Sequence, residues 1–590
     1  MPRATEQPHS IGKSGGDLLA EVLVAHGVPA LFTLCGGHTA PILVAAKREG
    51  LEIIDVRHEA SAVFAADASA RLSGRPGVAV VTAGPGVTNT VTAVKNAQEA
   101  QSPVVLIGGA APTVLRGRGA LQDIDQKALL APHVKAVLRV TRVGSLQEQL
   151  SQALTLASSP IPGPVFLECP LDLLYDEELV REWYLKGSET RTSISARLET
   201  IWLKRHLGRM FGGLPQRPYS APPPPPQPAV PSAPLARAAA LLRNSERPLL
   251  LLGSGAMVQP NRAALTAAAV ESLGLPVFLS GMSRGLLGAN SLLQVRHRRR
   301  EALREADLII LAGSPTDFRL EYGRAIPRRT RLIKVNYDRR ELRKNRRPDI
   351  GIKCDPGLFI EELARVHSAL DYKPWRAALA ARDAERESEI NAPSPSATTD
   401  SGVHPVALCQ AMAAAMAQDA TMVGDGGDFV ATAAYILRPG APLHWLDPGV
   451  FGTLGMGGGF ALAAALERRS TGGETWLLWG DGSCAFSLAE FDTLARHGLG
   501  LIAVVGNDGS WSQIARDQVK VLGDDVGTAL EQRAYHTVAE GYGGRGLLVT
   551  AATQLPTALA QAKAWAADGI PVLVNVHLTK SDFREGSLSM

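Results

Sequence analysis

Cysteine is scarce in this chain: five residues in 590, Cys35, Cys169, Cys354, Cys409 and Cys484, with no CxxC pair. An odd and scattered set excludes a disulfide frame and a cysteine-ligated zinc site, and it fits a reducing compartment. No apolar run reaches the ~18–20 residues that a membrane span requires. The polar start MPRATEQPHSIGKSGG lacks the apolar stretch of a secretory signal. Net charge is only +4, and no basic block is interleaved with aromatics, so nucleic acid is not an expected partner. What is present is ordinary for a soluble globular protein: 45% apolar and 20% charged residues. The expectation is a cytoplasmic chain, too long for one core and divided into three or four domains.

Three segments alternate short β-branched runs with alanine-rich helical stretches, the pattern of parallel α/β sheets. The first, 10–182, contains LEIIDV, GVAVVT and PVVLIG. The second, 232–370, contains PLLLLG, LPVFLS, ADLIILAG and RLIKVN. The third, 400–578, contains TMVGD, TWLLWG, LIAVVGN and PVLVNVHL. The fold expected is therefore α/β, with three doubly wound parallel-sheet domains, the first and third resembling two copies of one architecture. Residues 183–231 read as a linker: APPPPPQP favours polyproline II, and ARLETIWLKRHLGRMFGG before it reads as a basic amphipathic helix. Such a helix either lies on a membrane or partner surface or docks on the chain's own domains, and docking is the preferred reading. A second polar linker is expected over 384–403, and 579–590 form a tail that is a candidate lid.

In the third segment the strand TWLLWG runs into Gly480-Asp481-Gly482-Ser483, and LIAVVG ends at Asn507-Asp508-Gly509. Asp481 and Asn507 lie 26 residues apart, one strand–helix–strand unit. That spacing sets a carboxylate and an amide oxygen at neighbouring C-terminal strand ends, where α/β sheets bind ligands. Hard oxygen donors suit Mg²⁺, and glycines beside a helix N-terminus suit a diphosphate. The plain structural alternative is an Asp-Gly turn. In the first segment LEIIDV ends at Arg57-His58-Glu59, where an acidic first turn complements the helix dipole. Thr82-Ala83-Gly84-Pro85-Gly86-Val87-Thr88-Asn89 forms a strand-to-helix turn whose glycines permit close backbone approach.

In their order, these motifs resemble those of thiamine-diphosphate-dependent enzymes of the acetolactate synthase-like superfamily, over nearly the whole chain apart from about 185–230. The resemblance implies a pyrimidine-binding, a central nucleotide-binding-like and a diphosphate-binding domain, with thiamine diphosphate and Mg²⁺ as cofactors. Asp481 and Asn507 are then metal ligands with the Gly509 carbonyl, although one asparagine stands where the family often has two. Glu59 matches the family glutamate that bonds N1′ of the aminopyrimidine and promotes ylide formation. Gly84, Pro85 and Asn89 match the family's GPG segment. Gly426, Gly427, Asp428 and Phe429 match its diphosphate and thiazole loop, joined by Gly480, Gly482 and Ser483. Gly452 and Leu454 match the G-(T/S)-M-G element, in which an apolar wedge bends the cofactor; a buried core leucine is the alternative. Gln122, in GALQDID, matches a glutamine near cofactor and substrate. Because Glu59 and Asp481 fall in different domains, and family members join two subunits at the cofactor, a homodimer or homotetramer is implied.

Within that superfamily, RHEASAVFAADASARLSG, VTAGPGVTNTVTAVKNAQEAQSP, WLDPGVFGTLG and VGNDGSWSQI resemble the 2-hydroxyacyl-CoA lyases. Those enzymes split a 2-hydroxyacyl-CoA into formyl-CoA and an aldehyde or ketone, reversibly. Acetolactate synthases carry a tryptophan shortly after the asparagine pair, and Trp511 here comes too early. They carry a small residue where this chain has His38. A base for the 2-hydroxyl group is what the cleavage needs, and histidine suits that role near neutral pH; a structural loop histidine is the alternative. The competing readings are an acetolactate synthase or other 2-ketoacid carboligase or decarboxylase, and a catalytically inactive regulatory or scaffold homologue. Intact Glu59, Asp481 and Asn507 count against the inactive homologue, and no G-x-G-x-x-G supports a dehydrogenase. Glu490, in Ser487-Leu488-Ala489-Glu490, reads as a capping box. In the central domain Arg319, Asp338, Asp355 and Arg284 are candidates for a nucleotide or CoA, with ADP or CoA favoured over FAD. The run RHRRR at 296–300 reads as solvated surface before CoA contact.

Overall fold

The computed structural model describes residues 13–186, 193–213, 218–223, 227–367, 371–392 and 402–585. The polar N-terminus, the middle of the proline-rich stretch, the end of the second linker and residues 586–590 fall outside them. The chain divides into two compact units, one ending near residue 225 and one running from there to the C-terminus.

The first unit holds a sheet of β1 (Ala30–Leu34), β2 (Glu52–Asp55), β3 (Gly77–Val81), β4 (Val104–Ala110), β5 (Val137–Arg139) and β6 (Val165–Pro170), in the order β2-β1-β3-β4-β6-β5. The second unit holds two sheets. The central one has β7 (Pro248–Leu252), β8 (Val277–Leu279), β9 (Leu308–Ala312), β10 (Arg331–Val335) and β11 (Ile350–Ile352), in the order β11-β10-β9-β7-β8. The last has β12 (Thr421–Asp425), β13 (Trp445–Leu446), β14 (Thr475–Gly480), β15 (Leu501–Asn507), β16 (Arg545–Val549) and β17 (Pro571–His577), in the order β13-β12-β14-β15-β17-β16. Neighbouring strands within each sheet run parallel. This is the expected α/β architecture of three doubly wound sheets. Counted within their own domains, the first and last sheets share one order, 2-1-3-4-6-5, so the resemblance between them extends to topology.

β1, β5, β6, β11, β13 and β16 have no counterpart in the sequence reading. β13 is two residues long and β5 three, too short for any periodicity to register. The stretch read as a polar linker from residue 384 is helical as far as Asn391, in Lys373–Asn391. Its polarity is that of a helix held to the central domain by ion pairs, including Arg298 with Glu385 and Glu389. Within the RHRRR run His297, Arg298 and Arg300 pair with Glu387, Glu385 and Glu321, and Arg300 lies on the surface. The amphipathic helix is present as Ile194–Phe211, capped by Ser193, and its C-terminal end is docked: Leu207, Met210 and Phe211 join the core of the first unit. His206 Nε2 meets Thr113 Oγ1 at 2.8 Å, fixing the same end. The chain is held as far as Tyr219, whose hydroxyl meets His26 Nε2 at 3.0 Å. The described prolines after it, in 218–223 and 227–231, carry neither helix nor strand.

The helix Glu59–Ser73 is alanine-rich and buried along most of its length. Small side chains let it lie flat on the sheet, and Gly77 at the start of β3 completes the fit. A Cβ there would sit 1.8 Å from the Ala66 carbonyl oxygen. Gly77→Ala must therefore displace the helix that carries Glu59, at a cost of ~1–3 kcal/mol. A thermal melt should show a lowered midpoint, whereas Gly208→Ala, at an open helical position with nothing within 4 Å, leaves it unchanged or raised.

Candidate active site

Strand order reverses between β1 and β3, and the helices that follow those strands lie on opposite faces. The loops leaving the two strands therefore diverge and open a crevice. Cys35–Thr39 follows β1 and Thr82–Gly84 follows β3. Two glycines let these loops close on each other. A Cβ at Gly36 would lie 2.4 Å from Thr82 Cβ, and one at Gly109 would lie 2.5 Å from His38 Cβ. The result is a hydrogen-bonded line: His38 Nδ1 meets Thr82 Oγ1 at 3.1 Å, and Thr82 Oγ1 donates to Gln122 Oε1 at 3.5 Å. His38 and Gln122, 84 residues apart in sequence, are thus brought together. Burial lowers the His38 pKa below its ordinary 6.5, so the folded protein disfavours the imidazolium and keeps a neutral base at neutral pH.

Gln122 adopts φ +63, and Gly84 beside it φ +60. A Cβ on Gly84 would meet Gln122 Cα at 3.0 Å, so the GPG turn and the Gln122 segment fit only with glycine at 84. A residue without motif signal locks them. Buried Gln126 accepts from Gly84 N at 3.0 Å and donates to Gly109 O at 3.1 Å. Glu59 stands at the N-terminus of its helix, 8% exposed, and accepts from Asn89 Nδ2 at 2.9 Å. The structure thereby joins the glutamate motif to the end of the GPG motif, leaving one carboxylate oxygen, Oε1, outside that bond.

In the last domain the reversal falls between β12 and β14. Gly480 pairs with Gly506 across the β14–β15 ladder, so Asp481 and Asn507 emerge side by side, as their spacing implied. The Asp481 carboxylate accepts from Gly482 N at 2.8 Å and Gly509 N at 2.9 Å. Burial, then the nearby Asp508 carboxylate, raises its pKa to about 6. Asp508 is itself raised by burial. Asn507 is fully buried; its amide nitrogen donates to Arg533 O and Asn575 Oδ1, both at 3.1 Å. Its Oδ1 has no partner among the described residues. Buried Asp481, half-buried Asp508 and an orphaned amide oxygen form a set of oxygen acceptors to which a divalent cation would bring the missing positive charge. The Gly509 carbonyl accepts from Leu530 N at 2.8 Å and retains a second lone pair.

The loop after β12 crosses this group. Gly426 has φ +149, and a Cβ there would meet Gly480 N at 2.8 Å and Ser483 Oγ at 2.9 Å. Ser483 Oγ donates to Asp425 O at 2.6 Å. A Cβ on Gly482 would run into the Trp511 ring at 2.4 Å. Asp428 opens the helix Asp428–Ile436 and is ion-paired with Arg516, so its carboxylate is already engaged. Phe429 packs on Gly506. Asp425, the last residue of β12, is the buried hub of the region. It accepts from Gly455 N at 3.2 Å, Gly457 N at 2.7 Å and Trp479 Nε1 at 3.2 Å. Burial pushes its pKa to about 7. These bonds pin the Gly452–Gly455 segment. Leu454 on it is only partly buried.

The capping-box reading of Glu490 is corrected. Its helix Glu490–Arg496 begins at Glu490 itself with no side-chain cap. Ser487 Oγ accepts from Gly458 N at 3.1 Å, while Glu490 is buried and accepts from Thr493 Oγ1 at 2.7 Å. A separate helix, Asp481–Ser487, starts directly at the GDG turn and displaces the expected cap.

The central-domain candidates are not gathered into one cradle. Asp355 is buried, caps Pro356–Val366 and accepts from Tyr337 and Gln259, each at 2.6 Å. Asp338 caps Arg339–Arg343. Arg319 is paired with Asp317 at 2.7 Å. Arg284 points away from them, donating to Ala434 O with its guanidinium 4.7 Å from the centre of the Trp445 ring. At the reversal between β7 and β9, Gly253 and Gly255 lie against Gly313, where a Cβ on any of the three would be within 3 Å of backbone. Residues 579–585 lie on their own domain, with Ser581 Oγ 3.1 Å from His404 Nε2 and Phe583 edge-on to Tyr435.

Two sheets of one topology, one with a buried glutamate and one with a glycine-lined acidic crevice, with a third sheet between them in sequence, define a three-domain thiamine diphosphate enzyme. The chain belongs to that family. Its residues 13–129 match the N-terminal thiamine pyrophosphate binding domain, 235–363 the central domain and 425–576 the C-terminal binding domain. It is 46% identical to 2-hydroxyacyl-CoA lyase 2 of Danio rerio, over 98% of this chain and 94% of the relative. It is 34% identical to a probable acetolactate synthase of Mycobacterium bovis, over 95% of each. The fold matches a thiamine diphosphate-dependent 4-hydroxybenzoylformate decarboxylase of Rhodococcus jostii, with a TM-score of 0.77 at 20% identity, covering 97% of this chain and all of the other. Among the described residues no helix is long and apolar enough to cross a membrane.

Gly426→Ala tests the diphosphate crevice. The substitution forces both a strained backbone, worth ~1–3 kcal/mol, and a clash with Gly480 and Ser483. Calorimetric titration with thiamine diphosphate should show affinity lowered ~10-fold or more, with the fold retained by circular dichroism.

Proposed function

We propose that the chain is a lyase that cleaves 2-hydroxyacyl-CoA to formyl-CoA and an aldehyde or ketone, and that it can run the condensation in reverse. The observation that carries this reading is His38: a neutral imidazole at the crevice beside β1, aligned with Gln122 through Thr82. Cleavage of the C1–C2 bond requires removal of the 2-hydroxyl proton, which His38 would take. Identity to a lyase above that to an acetolactate synthase agrees with this choice, as does Trp511 lying against Gly482 instead of further along its helix.

Thiamine diphosphate, when bound, supplies nucleophilic addition to the thioester carbonyl and an electron sink for the pair released on cleavage. Glu59 would hold the proton at the aminopyrimidine, with Asn89 orienting its carboxylate. Gly426, Gly427, Gly482 and Ser483 would admit the diphosphate. Asp481, Asn507 and the Gly509 carbonyl would hold magnesium, and the cation would offset the repulsion between Asp481 and Asp508. Gln122 would orient the substrate carbonyl or hydroxyl. A homodimer or homotetramer is supported by apolar residues left exposed on the helix Ser512–Leu522, including Ile514, Val521 and Leu522. The five unpaired cysteines support a reducing compartment, the cytoplasm. For the central domain, half-buried Arg299 and Arg319, close enough to repel each other although both feel the Asp317 carboxylate, support an anionic ligand such as ADP or the phosphates of CoA.

Incubation with a 2-hydroxyacyl-CoA should release formyl-CoA, resolved by chromatography. Glu59→Gln, which keeps the size of the side chain and removes its charge, should retain cofactor and lose activity by ~100-fold or more. Pyruvate consumption without formyl-CoA would favour the acetolactate synthase alternative and overturn this one. For the metal, Asp481→Ala should lose thiamine diphosphate on gel filtration in the presence of Mg²⁺, as the parent does with a chelator. Retention indifferent to both would remove the cation from the site.

A further inference from the structure

The geometry points to Thr82 as the positioning residue that sets which nitrogen of His38 acts as base, an inference that rests on the lyase reading for its catalytic consequence but not for its structural one. A threonine hydroxyl has one proton to give. Here Oγ1 directs it to Gln122 Oε1 at 3.5 Å, an amide oxygen that only accepts. Toward His38, at 3.1 Å, the same oxygen is left as acceptor, and Nδ1 must then carry the hydrogen. The neutral ring holds one N–H, so Nε2 keeps its lone pair. A base must present that lone pair to the proton it removes, and an imidazole in the other tautomer presents a donor instead.

The arrangement is built in rather than incidental. Thr82 is the first residue after β3 and His38 the fourth after β1, the two strands flanking the reversal of strand order. Gly36, Gly86 and Gly109 are positions at which a side chain would collide with the pair, a Cβ lying 2.4 Å from Thr82 Cβ, 2.8 Å from Thr82 Cγ2 and 2.5 Å from His38 Cβ respectively. The Gln122 backbone, held at φ +63, aims the amide that polarises the hydroxyl.

Two substitutions test it. Thr82→Val keeps the branched shape and removes the hydroxyl, and Thr82→Ser keeps the hydroxyl. The full chain is labelled with ring-¹⁵N histidine, and the His38 signals are assigned by their loss in His38→Ala. The parent should show a protonated Nδ1 and a bare Nε2. Thr82→Val should shift both resonances toward the opposite tautomer or a mixture and lower kcat ~10-fold or more, with KM little changed. Thr82→Ser should restore the resonances and most of the turnover. A Thr82→Val protein that keeps the parent's His38 resonances overturns the inference, as does a folded Thr82→Ser protein that fails to restore them. The resonance readout needs no substrate, so failure of the lyase reading would show as absent turnover in the parent with the tautomer result intact.

Discussion

A parallel sheet whose strand order reverses cannot close its own C-terminal edge, because the chain leaves two adjacent strands toward opposite faces. Both outer domains of this protein carry that reversal at the same place in the same strand order. Each domain fills the resulting crevice with what its loops supply. The first supplies His38, Thr82 and Gln122; the last supplies Asp425, Gly426 and Asp481. The chemistry differs because the loop residues differ, while the geometry that exposes them is inherited from the sheet.

Glycine is the material that lets those loops approach. At 36, 84, 109, 426 and 482 a single added carbon would meet a neighbour at 3.0 Å or less. Such contacts hold polar groups at fixed separations without side-chain entropy to lose, which is how a crevice lined by loops acquires the rigidity of the sheet beneath it. The cost is buried polarity. Asp425 is fully buried and satisfied by three N–H donors; Asp481 is buried near the half-buried Asp508, and Asn507 Oδ1 has no partner among the described residues. The first case is a structural pin. The second is a site waiting for charge of the other sign.

The central domain shows the opposite outcome of the same topology. Its reversal between β7 and β9 is closed by glycine backbones packed on each other. Its candidate polar residues are occupied: Asp355 and Asp338 cap helices, Arg319 pairs with Asp317 and Arg284 reaches the last sheet. A motif of the right type at a strand end is therefore not enough to define a site; what matters is whether a neighbouring loop leaves its polar atoms unspent.

By itself the sequence determined the three parallel sheets, since buried parallel strands must be continuous apolar runs, and it determined the pairing of Asp481 with Asn507, since one strand–helix–strand unit fixes that separation. It also carried Glu59, whose motif is local. Tertiary structure alone decided the rest. Short edge strands such as β13 and β5 exist because a neighbour pairs with them, not because of their own periodicity. Gln126, Asn575, Asp508 and Thr82 act through contacts that span tens of residues, and no local spacing records them. Whether Glu490 capped a helix, whether residues 384–391 were linker or helix, and whether Arg284 faced a nucleotide depended on which partner reached each polar group first, and that competition is settled only when the elements pack.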